Sequence, residues 1–190
     1  MPPRAALGAA LLVLAVPAAR LRAQAVCDGR PIRAIQIDAR NIFSPDDSLI
    51  PGFVRGLGNA LHWRTRVDIV ALDLLFAVNE PCDPRRLRET ERLLRARGYI
   101  RSAVVVPVAT ADGGVEVLVQ TRDEFSLRGG LQISGGGDFP VKHFNFGEEN
   151  VLGRGMHFQT EYSDLGRRAS YETGLRDDHF FGRRIEAEEE

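Results

Sequence analysis

The residues here whose types could do chemistry are four histidines, two cysteines and a short glycine turn. His62, His143, His157 and His179 are scattered, without the short ligand spacing or the cysteine pairs that close a zinc site. Ser134 lacks the glycine two residues earlier that a nucleophile elbow requires. Gly153-Arg154-Gly155 has two glycines of a dinucleotide turn but leads into a strand pattern, not a helix. No catalytic set, cofactor site or metal site is therefore expected, and the chain does not read as an enzyme. Cys27 and Cys82 are the remaining reactive pair. In an oxidising compartment they would form a disulfide, with two unpaired thiols as the alternative. Cys27 is a poor lipid acceptor, because Gln24-Ala25-Val26 lacks the leucine and small residues of a lipobox.

The compartment is set by the start of the chain. Met1–Arg4 is cationic, Ala5–Ala19 is apolar throughout, and Ala23-Gln24-Ala25 supplies a small-x-small cleavage site. The apolar run is short of the ~20 residues a membrane helix needs. Residues 1–25 thus read as a secretory signal, with a presequence or a core helix as alternatives that the missing polar face disfavours. The whole chain carries −1; loss of Arg4, Arg20 and Arg22 leaves the mature protein at −4. That charge offers nothing to a nucleic acid.

Residues 26–125 read as one α+β domain. Ile32–Ala39 alternates as a strand, with Ile35, Ile37 and Ala39 on one face. Pro51–Leu61 puts Phe53, Leu57 and Leu61 on one helical face, yet Gly52, Gly56 and Gly58 limit it to a short helix within an insertion. Val67, Val70, Ala71, Leu74, Leu75 and Val78 form one helical stripe, stopped at Asn79-Glu80-Pro81. A further helix opens with Asp83 as N-cap and Pro84 at its first position, and Gly98 is placed as a positive-φ terminator. Leu87, Thr90, Leu93 and Leu94 face inward, and the arginine-rich face of this helix is solvated. Ala103–Ala109 and Val115–Thr121 are strands around the turn Ala111–Gly114. The order is βααββ.

From Ser126 the period changes to two. Leu127, Gly129, Leu131 and Ile133 alternate with polar or small residues, and Phe144 and Phe146 flank Asn145. Met156, Phe158 and Tyr162 lie on one side of a third segment, and Tyr171 and Leu175 on one side of a fourth. These five are the expected lipid-facing residues of membrane strands, with charge on the lumen side. A soluble sheet with one wet face would give the same alternation. Turns are expected at 135–138, 150–153, 163–166 and 177–182.

Two groups of residues now resemble a known family. The run RRLRETERLLRARGYI (85–100), followed by VVVPVA, DGG and VEVLVQTRDEFSL, resembles the end of a POTRA (polypeptide-transport-associated) domain. The turn containing Asn150, Leu152, Gly153 and Gly155 resembles the Asn-Leu-Leu-Gly-x-Gly turn early in barrels of the BamA/TamA outer-membrane assembly family. Asp177–Arg184 resembles a later Asp-Pro turn of those barrels, with Asp178 where proline is usual. The resemblance implies a POTRA-like βααββ domain in the periplasm, followed at 126–190 by the first four or five antiparallel strands of a transmembrane β-barrel. It implies a barrel of about sixteen strands, and a closed barrel needs at least about eight, so the sequence is expected to be a truncated part of a longer protein. Glu186, Glu188 and Glu190 would then belong to a strand cut midway, or else to an acidic tail.

The function implied is bacterial outer-membrane protein assembly or translocation. Its partners would be membrane lipid, extended client polypeptides and periplasmic accessory proteins, with no cofactor. The alternatives are a passive anchor or partner-binding surface antigen, and the front of a barrel protein whose enzyme domain lies elsewhere. The mature protein is expected to begin at Val26, and mass spectrometry of the membrane-fraction protein checks it; an intact Met1 would remove the export argument.

Overall fold

The computed structural model describes residues 26–133, 141–164, 166, 168–179 and the backbone of 187–189. The expected signal (1–25), the glycine turn at 135–138, residues 180–182 of the last turn, Glu186 and Glu190 lie outside the described residues. The elements are β1 (Ile32–Arg40), α1 (Gly52–Ala60), α2 (Val67–Leu72), α3 (Pro84–Ala96), β2 (Ile100–Ala109), β3 (Val115–Asp123), β4 (Leu127–Ile133), β5 (Val141–Val151), β6 (Met156–Asp164), β7 (Ala169–Asp177) and β8 (Ala187–Glu189). They build an α+β fold with a three-stranded sheet ordered β1-β3-β2 and an open five-stranded sheet ordered β4-β5-β6-β7-β8.

Two compact units emerge. The first comprises the segments up to Gln36, Leu75–Glu91 and Val104–Val119; the second comprises Ile37–Leu74, Arg92–Ala103 and Gln120 onward. In the first, Val115, Val117 and Val119 are fully buried at alternate positions of β3, as period two requires of a half-buried strand. Leu87 and Thr90 of α3 are buried as expected, and the Thr90 hydroxyl accepts the Leu75 amide at 3.1 Å. Asp83 caps α3 by accepting the Arg85 amide at 2.8 Å, which satisfies an amide the helix itself cannot.

The stripe from Val67 to Val78 becomes helix only as far as Leu72, a correction to the length read from periodicity. The residues beyond it are recruited by pairing. The Asn79 amide donates to the Ile32 carbonyl, Ile32 returns a bond to Glu80, and the Cys82 amide donates to Arg30, all at 2.8–2.9 Å. A bridge between Pro31 and Pro81 and a disulfide between Cys27 and Cys82 complete the seam. Asn79 takes φ +72° to enter it. Tertiary pairing outweighs a propensity worth a few tenths of a kcal/mol per residue.

Gly98 is the second correction, because it is not among the residues with positive φ. A Cβ there would run into the Glu149 carboxylate, so close approach rather than backbone handedness calls for glycine.

The cross-link closes a loop of 55 residues, which restricts the unfolded chain. Reduction is expected to destabilise the protein by about 2–4 kcal/mol, read as a lower denaturant midpoint in reductant. An unchanged midpoint would mean that the Ile32–Glu80 seam alone holds the loop.

Candidate functional site: an apolar strand face and its buried polar anchor

The second unit carries both candidate features. Register defines the first. Phe158 of β6 stands opposite Leu175 of β7, and Tyr162 opposite Tyr171. On the other side, Phe144 of β5 pairs with Tyr162 and Phe146 with Thr160, while Leu131 of β4 pairs with Phe144. Directly paired residues point to the same side of a sheet, so these side chains form one face across four strands. The rings of Phe146 and Phe158 meet edge-on, 6.4 Å between centroids. Thr160 and Thr173, also paired, share one hydroxyl–hydroxyl hydrogen bond at 3.1 Å. Yet the face stays uncovered: Tyr171 is 70% exposed and Leu131 66%.

The opposite face holds Arg128, Asn145, Gln159, Glu161, Ser170 and Glu172 by the same register. All five residues expected to face lipid are placed by the structure: Met156, Phe158 and Tyr162 on one side of β6, Tyr171 and Leu175 on the matching side of β7.

The second feature is a polar anchor at the end of the sheet where β5 turns into β6. Asn150 is fully buried there and every hydrogen-bonding group it has is used. Its side-chain amide donates to the Trp63 carbonyl and to Thr65 Oγ1, each at 3.0 Å. Its Oδ1 accepts the Gly155 amide at 2.9 Å, and its own amide donates to Glu148 Oε1 at 2.8 Å. Its carbonyl accepts the Gly153 amide at 2.9 Å. Aspartate would lose both donated bonds and bring an unpaired charge. Gly153 and Gly155 have φ +71° and +68°; a Cβ on Gly153 would strike the Arg64 carbonyl, and one on Gly155 would lie 2.5 Å from the Tyr99 hydroxyl. Leu152, at φ +57°, instead leaves its side chain in the open. The turn motif read from sequence is thus a docking geometry.

The anchor continues through residues that sequence reasoning left scattered. Asp123 Oδ2 accepts the Thr65 amide at 2.7 Å and lies 2.9 Å from His62 Nε2. His62 Nδ1 lies 3.1 Å from Ser126 Oγ, and that hydroxyl donates to Glu148 Oε1 at 2.5 Å. A serine, a histidine and an aspartate in line have the composition of a hydrolytic triad. All three are buried, and the serine hydroxyl donates to Glu148.

A further cluster fixes the start of the turn after β7. Arg97 grips Asp73 with two bonds, 2.7 and 2.9 Å, and reaches Asp178 at 2.6 Å. His179 Nε2 lies 3.2 Å from Asp73. Asp178, the departure from the proline pattern, accordingly has charge partners in Arg97 and Arg176. The signal that could have found this cluster is the pair Arg97 and Asp178, one in each family-like motif.

Among solved structures the chain is similar to BamA from Haemophilus ducreyi lacking POTRA domains 1–3, at TM-score 0.56 and 10% identity, covering 83% of this chain and 26% of that one. It shares its fold with part of that protein. CdiB from Acinetobacter baumannii is also a neighbour, at TM-score 0.39 and 10% identity, covering 77% of this chain and 26% of that one; the likeness in fold rests on BamA. The chain spans about a quarter of the length of either structure. No family model and no curated protein matches.

Burial opposes the Asp73 charge, but hydrogen bonds from His179 and Arg97 and the Arg97 charge outweigh it and hold the carboxyl down at about 2, against 3.8 ordinarily. A depressed folded value stabilises the fold above the unfolded one and loses that contribution as pH falls through the folded one. The stabilisation, about 2 kcal/mol, is complete above 3.8 and disappears as pH falls toward about 2. Urea midpoints across that window should fall more steeply for the wild type than for Asp73→Asn; equal slopes would show that the Asp73 charge contributes nothing to stability.

Proposed function

We propose that this protein is a bacterial outer-membrane β-barrel protein of the assembly or translocation type. On this reading β4–β7 lie in the membrane and the POTRA-like residues 26–125 lie in the periplasm. The observation that carries the reading is the uncovered apolar face shared in register by four strands, backed by a charged face. Strand length supports it. β5, β6 and β7 have 11, 9 and 9 residues, the ~9–11 that a tilted strand needs to cross the hydrocarbon core. The Thr160–Thr173 pair supports it too, since hydroxyls toward lipid need a partner of their own. The fold shared with part of BamA and the turn motif at Asn150 agree with it. The reading requires the outer edges of β4 and β8 to be paired in the membrane, because an unpaired backbone group there costs several kcal/mol.

Client presentation would proceed by strand addition at an edge of the β1-β3-β2 sheet. Val104, Val106 and Val108 leave apolar side chains exposed along β2. The Val105 amide, however, is held by Glu91 Oε2 at 3.3 Å, and Pro107 has no amide to give. A client pairing through these positions of β2 must displace Glu91.

Phe158→Arg or Tyr171→Arg is expected to cost ~2–4 kcal/mol near the bilayer midplane, and Gln159→Arg or Ser170→Arg much less. Location decides: the full-length protein, with the β4 and β8 edges paired, should stay with outer membranes through carbonate and urea, and the 190 residues alone should not insert stably. Recovery of the full-length protein as a soluble periplasmic species would overturn the barrel and the assembly function together.

A further inference from the structure

Helix α1 is amphipathic in the reverse sense for a protein in water. Its polar side is turned to the protein: Asn59 donates to and accepts from the Phe43 backbone at 3.0 and 3.1 Å, and Arg55 donates to the Asp47 carbonyl at 2.8 Å. Gly58 fits against the Phe43 ring, where a Cβ would collide. Asp47 is itself held by Arg122 and by the Ser44 amide. The apolar side is turned outward, with Phe53 78%, Leu57 60% and Leu61 57% exposed, and none of the nine helical residues is buried. Leaving a large apolar stripe in water while spending the polar groups on attachment is unfavourable by ~25 cal/mol per Å². Such a stripe marks a binding surface.

The occupant follows from where the helix is tied. Trp63, three residues beyond α1 and 48% exposed, gives its carbonyl to Asn150, and the Arg66 amide donates to the Gly153 carbonyl at 3.0 Å. Both bonds fasten this segment to the β5–β6 turn, where the apolar strand face ends. On the reading of those strands as membrane strands, that level is the boundary between headgroups and hydrocarbon. Tryptophan is enriched at this boundary, and short amphipathic helices lie in its plane. Arg64 and Arg154, both exposed, flank the attachment and offer charge to lipid phosphates.

We propose that α1 and Trp63 form an interfacial anchor, with Phe53, Leu57 and Leu61 seated in the inner phospholipid leaflet of the membrane that β4–β7 cross. The inference rests on the barrel reading and adds a contact that the barrel itself does not need.

Trp63 is the single tryptophan of these 190 residues; in the longer protein that carries the whole barrel, any further tryptophan is replaced by phenylalanine so that the fluorescence reports this segment alone. The protein is reconstituted into phosphatidylethanolamine–phosphatidylglycerol vesicles whose acyl chains carry bromine either near the headgroup or near the chain end. A blue-shifted Trp63 emission, quenched more by the shallow bromine than by the deep one, is the expected result. Phe53→Asp combined with Leu57→Asp changes only exposed positions; it should remove most of the quenching and leave carbonate resistance and the disulfide intact. Water-like, bromine-insensitive emission in protein that is carbonate-resistant would overturn the anchor and leave the barrel reading standing; the stripe would then serve a protein partner or a second copy. Quenching that survives the double substitution would also overturn it, because the strand end alone would be placing Trp63. Loss of carbonate resistance in the wild type would remove the barrel reading and the anchor with it.

Discussion

The second unit depends on one saturated side chain. Asn150 donates to Trp63 and Thr65, accepts from Gly155, and passes its backbone bonds to Glu148 and Gly153. The partners lie 85 and 87 residues away in sequence on one side and five or fewer on the other. Local turn geometry and distant segments are therefore fixed by the same group. Removing the amide would leave the Trp63 carbonyl without that donor and Gly155 without its acceptor in a dry site, where each unmade bond costs about 1–3 kcal/mol. Asp123, His62, Ser126 and Glu148 extend the ring, so every member is both positioned and positioning.

The glycines of the turn follow from that constraint. Once Asn150 Oδ1 takes the Gly155 amide, the chain must double back within five residues. It passes through positive φ at Leu152, Gly153 and Gly155. Leucine tolerates this at a position open to solvent. At Gly153 and Gly155 the space is already filled by Arg64 and Tyr99, so handedness and close approach select the same residue type. The Tyr99 ring, buried against this turn, has its hydroxyl pushed well above the ordinary range by burial.

Legibility in the sequence divides along the range of the interactions. Local periodicity carries β1–β7, the Asp83 cap and the alternation that register converts into a face; alternation alone puts Phe158 and Leu175 on the apolar sides of their strands, and pairing joins those sides. It overextended the helix beyond Leu72, because the bonds that recruit residues 79–82 run to Arg30 and Ile32, which no window of helical periodicity contains. It gave Gly98 the wrong reason for the same cause: Glu149 is 51 residues away. His62 and His179 looked idle, since their partners Asp123 and Asp73 lie 61 and 106 residues distant. Buried polar networks are assembled by tertiary contacts and leave no period behind. The motif residues carried the one usable trace, with Asn150 at the centre of one network and Arg97 of another.

A polar anchor suits a sheet of this kind better than an apolar one would. In water, apolar groups drive strands onto a neighbouring domain because burial removes them from solvent. If the β4–β7 face meets lipid, that drive is absent, since hydrocarbon solvates Phe158 or Leu175 as well as a protein core does. Alternation would still oppose a one-residue slip, which turns charge toward lipid, but apolar contact at the strand ends would not separate one register from another two residues away. Directional bonds discriminate. Shifting β5 by one residue would break all the contacts of Asn150 and turn Glu148, now holding Ser126, to the opposite face. The bidentate grip of Arg97 on Asp73, extended to Asp178, imposes the same condition on the end of β7. On that reading two polar clamps at one end of the sheet add directional bonds to the alternation of apolar and charged faces, and together they select a single register.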